Sequence, residues 1–493
     1  MTWSSRVARA AADELSERSD RKTTTTSRAR KTGILAICCM SLFIVGLDNT
    51  IVNVALPSIG RQLHASVSGL QWTVDAYTLV LASLFMLSGS TADRFGRRRV
   101  FQIGLTVFTL GSLACSLSPS LTWLVIFRML QAVGGSMLNP VAMSIIRNTF
   151  DNPRERAQAI GIWGAVIGVS MALGPVLGGL LVQGVGWRSI FWVNIPVGIA
   201  AVALTAGFVP ESRAPIARRV DPMGQVLVVI TLTALTYGII EGPRQGWSSP
   251  TILALFGVSA ASLVALVVFE GRKREPLIEL RFFRSAPFSG ATIIAVGSFV
   301  ALSGFLFLNT LYLQEVRHLS ALHAGLDTLP MAGVTVLSSP ISGRVVGHLG
   351  ARPSLVVGGL GIGIGSLLLT DLSAATSFTR LFLAYVIFGI GFGVVNAPIT
   401  NTAVSGMPAS QAGVASAIAS TSRQIGQSLG VAIVGAAAVA GLAGRPMAER
   451  FAAASHVGWW VITGCGWLVL LLGLVTTTRW ARATAARTAA RFG

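Results

Sequence analysis

The chain has 493 residues, 52% hydrophobic and only 12% charged, yet it carries 38 Lys and Arg against 19 Asp and Glu, a net charge of +19. A soluble domain usually carries about 25% charged residues, so a water-soluble enzyme, a secreted disulfide scaffold and a disordered chain are all disfavoured. The cation excess has two readings: a nucleic-acid or other anionic partner, or a membrane protein whose cations collect on one side.

The first 32 residues are polar, hold eight Lys and Arg with four acids, and read as a flexible cytoplasmic arm. They lack the short apolar core and small-residue cleavage site of a signal peptide. A bilayer crossing needs about 20 mostly apolar residues. Fourteen such runs follow in order: 33–57, 70–91, 99–117, 121–146, 157–182, 187–209, 221–241, 251–270, 287–314, 323–346, 353–371, 378–402, 411–440 and 456–478. The eleventh and the Gly/Ala/Ser-rich thirteenth are the weakest. An even count places both termini on one side. With that side inside, 29 of the 38 cations fall in inner segments and 7 in outer ones, leaving Arg128 and Arg423 within spans. The excess is therefore an orientation signal with both termini cytoplasmic, and a nucleic-acid partner loses its motive. Trp72, Trp123, Trp187, Trp247 and Trp459 fall at predicted outer ends, where an aromatic belt belongs.

Nothing in the pattern suggests a metal, a cofactor or an enzyme. Cys38, Cys39, Cys115 and Cys465 lie in apolar runs without CxxC spacing, and read as small buried hydrophobes. The five histidines fall near loops or span ends. No HExxH, GxSxG or phosphate-cradling loop occurs, so neither a hydrolase nor an ATP-driven pump is supported.

An internal repeat organises the runs. Gly89 to Arg99 joins spans 2 and 3, and Gly343 to Arg352 joins spans 10 and 11. Glycines recur at the first and eighth positions and an arginine at the tenth, shifted by 254 residues; Asn139-Pro140 is echoed by Asn396-Ala397-Pro398. The expected architecture is an all-α polytopic membrane protein of 14 transmembrane helices: two parallel six-helix bundles, 33–209 and 287–478, with two extra central helices in 210–286. Tails occupy 1–32 and 479–493. Parallel repeats of this kind build secondary transporters with a midplane site.

These residues resemble the fourteen-spanner drug:proton antiporter branch of the major facilitator superfamily. Leu47 to Pro57 (LDNTIVNVALP) is similar to the branch signature of span 1, and Gly89 to Arg98 to the superfamily's loop 2–3 motif. Leu124 to Gly134, centred on Arg128 and Gln131, is similar to its span 4 motif. Gly164, Gly168, Gly174, Pro175, Gly178 and Gly179 resemble the antiporter motif of span 5, and Trp187 to Gly198 is also typical of the branch. The second-half loop departs from the pattern: Gly347 stands where the first half has Asp93.

Four charged residues within spans are candidates for proton coupling and substrate binding. An ionised group at membrane depth is costly and usually faces a cavity or a partner. Asp48 lies nine residues before Pro57, about 14 Å below the outer surface, and Arg128 about 11–12 Å down span 4. At similar depth in one half, Asp48 is expected to take a proton or a cationic substrate, with Arg128 acting electrostatically, since arginine does not titrate; a permanent structural ion pair is the alternative. Asp75 either lines the outer vestibule or is solvated at a span end. Arg423 lies near the midplane with no evident acid at its depth in the second half. Gly89, Asp93, Arg94, Gly96, Arg97 and Arg98 form the expected cytoplasmic gate. The span 5 glycines allow close helix packing, and Pro175 removes a backbone hydrogen bond.

The resemblance implies proton-driven efflux of small amphipathic drugs, antibiotics or dyes across the cytoplasmic membrane by alternating access. The expected partners are a cationic or neutral substrate, protons and the lipid bilayer; no cofactor and no nucleic acid are expected. The rivals are a dedicated exporter or importer of one metabolite, such as a siderophore or an amino-acid derivative, and a scaffold or sensor that transports nothing.

Overall fold

A computed structural model describes residues 28–150, 152–214, 221–273, 276–405 and 412–490. Most of the expected N-terminal arm, residues 1–27, lies outside the described residues. Among the described residues every regular element is helical. The long helices are α1 (Arg28–Leu63), α2 (Val67–Phe95), α3 (Arg97–Ser116), α4 (Leu121–Thr149), α5 (Pro153–Gly184), α6 (Asn194–Phe208), α7 (Pro222–Gln245) and α8 (Pro250–Arg272). They continue as α9 (Ala286–Leu311), α10 (Leu329–Leu349), α11 (Ala351–Leu367), α12 (Phe378–Val404), α13 (Ala412–Leu442) and α14 (Met447–Thr476). A short amphipathic helix, α15 (Arg479–Ala489), follows. Among the described residues twelve helices are long and apolar enough to cross a membrane, α6 together with the short helix Ser189–Trp192 before it; α10 and the 17-residue α11 fall short of that measure.

Local chemistry sets the helix ends. Ser66, Ser249, Ser285 and Ser377 cap α2, α8, α9 and α12 through their side-chain oxygens, and Asp221 caps α7. Each satisfies an orphan amide of the first turn. Pro222 and Pro250 follow their caps, where a missing N–H costs nothing. Gly96 ends α2 and begins α3 at φ 116°, and Gly350 does the same between α10 and α11 at φ 81°. Only glycine takes that backbone without strain.

The repeat extends beyond this glycine pair. His64 and His318, both at positive φ, are separated by the same 254 residues, as are the capping serines Ser66 and Ser320. Helix pairing repeats as well. Contacts α1–α4, α1–α5, α1–α6, α2–α4, α3–α4 and α3–α6 recur as α9–α12, α9–α13, α9–α14, α10–α12, α11–α12 and α11–α14. The two sets meet along two seams, α2 against α13 and α5 against α10 with the short helix Ala321–Asp327 before it. Helix α7 lies over the first seam, touching both α2 and α13, and α8 packs on α7. Trp72 Nε1 donates to Glu241 Oε1 of α7 at 3.1 Å, and Gln225 of α7 donates to the Ser83 carbonyl of α2.

The two ends of the molecule differ. At the end opposite the start of α1, here the far end, the sets are tied together. Gln71 Nε2 donates to the carbonyls of Val431 and Ala432, Gln314 Nε2 to that of Val54 at 2.9 Å, and Arg61 pairs with Glu315 at 3.0 Å. Gly325 sits against the carbonyl of Pro175. At the tail end Gly161 and Gly164 of α5 and Gly343 and Gly347 of α10 all face open space. The expected aromatic belt is only partly there. Trp123 and Trp247 are exposed, but Trp187 and Trp459 are buried, Trp187 bonding Gln62 and Trp459 stacking edge-on against Phe305.

Candidate functional site: a buried acid–arginine network and two unpaired charges

Asp48 on α1 and Arg128 on α4 meet directly. Arg128 Nη1 donates to Asp48 Oδ2 at 2.5 Å, and both side chains are enclosed, at 0% and 1% exposure. Asp48 Oδ1 accepts from Gln131 Nε2 at 2.9 Å and from Asn194 Nδ2 at 3.2 Å. Ser112 Oγ on α3 accepts from both of those amides and donates to the Phe191 carbonyl. Arg128 also donates to Gln131 Oε1 and, through Nε, to the Thr73 carbonyl of α2, with its guanidinium 4.1 Å from the centre of the Tyr77 ring. Side chains from α1, α3, α4 and α6, with the backbone and a ring of α2, thus close around one carboxylate. A charge in low dielectric is tolerable only with such pairing and hydrogen bonding. The depth estimate from sequence placed Asp48 and Arg128 together and the span 4 motif named Gln131. Ser112 was missed, because a serine in an apolar run carries no signal of its own.

Asp75 is fully buried, which removes the solvated reading. It lies one turn from Gln71 on the α2 face that meets α13. Its Oδ2 has no hydrogen-bond partner, and Oδ1 has only a 3.5 Å contact from Thr78. Arg423 of α13 donates Nη2 to Thr400 Oγ1 of α12 at 2.5 Å, while its Nε is enclosed without a partner. Thr400 is four residues from the tail end of α12, so the guanidinium reaches from midplane toward the tail side. The four candidates do not form one cluster: Asp48 and Arg128 neutralise each other, and Asp75 and Arg423 each stand without a countercharge among the described residues.

The expected gate is folded upon its own half. Asp93 Oδ1 of α2 accepts from Arg97 Nε and Nη2 at the start of α3, at 3.1 and 2.9 Å, across the Gly96 turn. The segment after α6 clasps the motif. Arg97 N donates to the Ser212 carbonyl, Ala214 N to the Asp93 carbonyl, and the amides of Arg98 and Arg99 to the two oxygens of Glu211. Glu211 therefore supplies the acid that the start of α3 lacks, where a carboxylate is favoured. Gly96 leaves room for it: a Cβ there would lie 2.7 Å from the Glu211 carboxyl carbon. A Cβ at Gly89 would lie 3.9 Å from Pro140 Cβ of α4, an ordinary contact. Arg94 is exposed and Arg98 half-buried. Glu211→Ala is expected to raise hydrogen exchange at the Arg98 and Arg99 amides by roughly three- to tenfold, as loss of a cap worth about 1 kcal/mol implies. Mass-spectrometric exchange on the peptide containing them checks this.

The span 5 motif divides by direction. Gly174 and Gly178 pack on α1, Gly174 directly against Thr50 and Gly178 so close to Ile51 that a Cβ there would lie 2.9 Å from its Cγ1. Gly168 and Gly179 face the other set, against Val336 of α10 and the Leu322 backbone. Pro175 offers its carbonyl to Gly325, while Gly164 meets nothing.

Twelve candidate spans among the described residues, a helix-pairing pattern that occurs twice and charged side chains buried within and between the two sets define a multi-pass α-helical membrane transport protein. Residues 38–431 match the Major Facilitator Superfamily, and the chain belongs to that family. It is 38% identical over 413 residues to the multidrug resistance protein Stp of Mycobacterium tuberculosis, covering 83% of this chain and 77% of the relative. It is 36% identical to the tetracenomycin C resistance and export protein of Streptomyces glaucescens, covering 83% and 76%. Among solved structures, a bacterial homologue of the human lysosomal transporter Spinster superposes with a TM-score of 0.64 at 19% identity, covering 94% of this chain and 98% of that one. The last comparison speaks to the fold alone.

Proposed function

We propose that the chain is a proton-driven exporter of small amphipathic compounds, drugs and antibiotics among them, working by alternating access. In this reading all fourteen long helices cross the membrane, α10 and α11 included, because the pairing that places α2 and α3 in the first set places them in the second. Residues 33–209 and 287–478 are the two rocking bundles, and 210–286 carry the extra pair. The cation asymmetry puts the tail end and both termini in the cytoplasm. The arrangement described above is then the state open to the cytoplasm and sealed outside.

The observation that carries the reading is the enclosed Asp48 carboxylate, held by donors from two other helices, in a chain similar to drug-resistance and export proteins. A proton arriving at Asp48 turns an acceptor into a donor. Arg128, Gln131 or Asn194 must then let go, which ties protonation to the relative placement of α1, α4 and α6. Asp75, unpaired at the seam between the bundles, is the second place for a proton or for the cationic group of a substrate. The gate residues Asp93, Arg94, Arg97 and Arg98 are engaged only within their own half here, as expected of a cytoplasmic gate standing open. Gly168 and Gly179 form part of the surface on which the bundles close.

Inverted membrane vesicles with an imposed proton gradient test the proposal. A panel of lipophilic antibiotics and dyes is expected to dissipate the gradient with wild type, and Asp48→Asn to abolish the response while Asp48→Asn protein still inserts. A response to a single metabolite would favour the dedicated exporter. No response to any compound would leave a scaffold or sensor.

A further inference from the structure

Arg423 has no counterpart to Asp48. Its own helix α13, the helix α12 that supplies Thr400, and α9, which packs on α13, contain no Asp or Glu, and neither does the connection 405–411 between α12 and α13; Asp75 of α2, which also packs on α13, lies nearer the far end and makes no ion pair with Arg423 among the described residues. Arginine keeps its proton in proteins, so this charge cannot be relieved by titration. Removing a charge from water without a partner costs several kcal/mol, and an intact fold retains such a group only where something offsets the cost. Thr400 offsets one of five N–H donors.

Gln427 is one turn beyond Arg423 on the same face of α13, and its side-chain oxygen is enclosed without a partner. The Gln427 amide nitrogen and the Thr400 hydroxyl can each donate a hydrogen bond, and neither side chain is a carboxylate. Such donors beside a fixed cation suit an oxyanion, which takes charge-assisted bonds from arginine, bidentate where the geometry allows. Arg423 remains partly accessible, and it reaches toward the tail end, where glycines of α5 and α10 face open space.

We infer that Arg423, with Gln427 and Thr400, is a subsite for the acidic group of an exported compound: a carboxylate, or an acidic phenol or enol, on an apolar body. This rests on the export reading and deepens it. The bundles divide the work on charge. The first neutralises its own arginine with Asp48, while the second leaves its arginine for the cargo. The substrate class therefore extends beyond the neutral and cationic compounds expected from sequence, to acids and zwitterions.

The test uses the full chain, purified in detergent, and two dyes that differ at one group: rhodamine B, with a free carboxylate, and its ethyl ester. Fluorescence polarisation gives both affinities. Arg423→Gln is expected to weaken binding of the acid roughly tenfold or more, the loss of one charge-assisted contact, and to change the ester by less than about twofold, since the ester makes no such contact. Arg423→Lys is expected to restore part of the acid's affinity, because a point charge replaces the fork. Unaltered ester binding also shows that the variant is folded. Equal losses for both dyes, or an acid unaffected by Arg423→Gln, would overturn the subsite and leave the export reading standing. Failure of wild type to bind either dye would count against both. A final arm adds phosphatidylglycerol to the micelles: displacement of the acid through Arg423 would assign the site to a lipid phosphate and overturn its assignment to cargo.

Discussion

Arg128→Ala is expected to destabilise the purified protein by about 3–5 kcal/mol and to abolish export, the usual outcome when one partner of a buried ion pair is removed. The reason lies in what remains. Asp48 would stay in the same enclosed position, with only the Gln131 and Asn194 amides to face its charge. Gln131 Oε1 and the Thr73 carbonyl would lose their donor, and the Tyr77 ring its cation at 4.1 Å. Thermal unfolding in detergent, followed by tryptophan fluorescence, reads the loss. Adding Asp48→Asn to Arg128→Ala is expected to recover much of it, because two neutral groups cost far less to bury than one unmatched charge. If the double variant were no more stable than Arg128→Ala alone, the two charges would not be coupled and the network described above would be misassigned. Arg128→Lys is expected to fall between, since an ammonium cannot hold Asp48, Gln131 and the Thr73 carbonyl while lying flat on a ring.

How far the sequence reaches into this site depends on what kind of information each residue needs. Asp48 and Arg128 were placed together by depth alone, and depth follows from counting residues along two helices. Asn194 and Ser112 require the rotation of α6 and α3 about their own axes, and hydropathy in an apolar run does not contain it. The same limit misplaced Trp187 and Trp459: lipid and protein interior are both apolar, so a tryptophan at a span end reads alike in either. Asp75 was left between vestibule and solvent because its burial is set by α13, which is distant in sequence. The loop 2–3 motif was legible as a motif, but the clasp by Glu211 to Ala214 was not, since it needs two loops to meet at one end of the molecule. The repeat was read from a handful of glycines and one arginine. It extends to paired backbone conformations at His64 and His318, which no composition would suggest.

Gly179→Leu is expected to open the far end. In the present arrangement a Cβ at Gly179 would lie 2.6 Å from the Leu322 Cα, and the neighbouring Pro175 carbonyl already abuts Gly325. Neither obstacle is a flexible side chain; both are backbone, so the short helix before α10 must move as a unit. Overpacking of this kind costs about 1–3 kcal/mol, and a bias of that size shifts a two-state equilibrium roughly 5–150-fold. The cost falls only on the state in which α5 meets Ala321–Asp327, so the population moves toward the state in which they part. Spin labels at Arg61→Cys of α1 and Glu315→Cys after α9, whose native side chains pair between the two sets at the far end, report the separation by electron–electron double resonance. The label distance is expected to lengthen by several ångströms in Gly179→Leu and export to fall with it. Gly164→Leu serves as the control, because its position at the tail end faces open space and its added side chain meets nothing in this state. An unchanged distance in Gly179→Leu would show that the polar ties at Gln71 and Gln314 hold the far end by themselves. The span 5 glycines would then be packing residues of one bundle rather than part of the surface on which two bundles close.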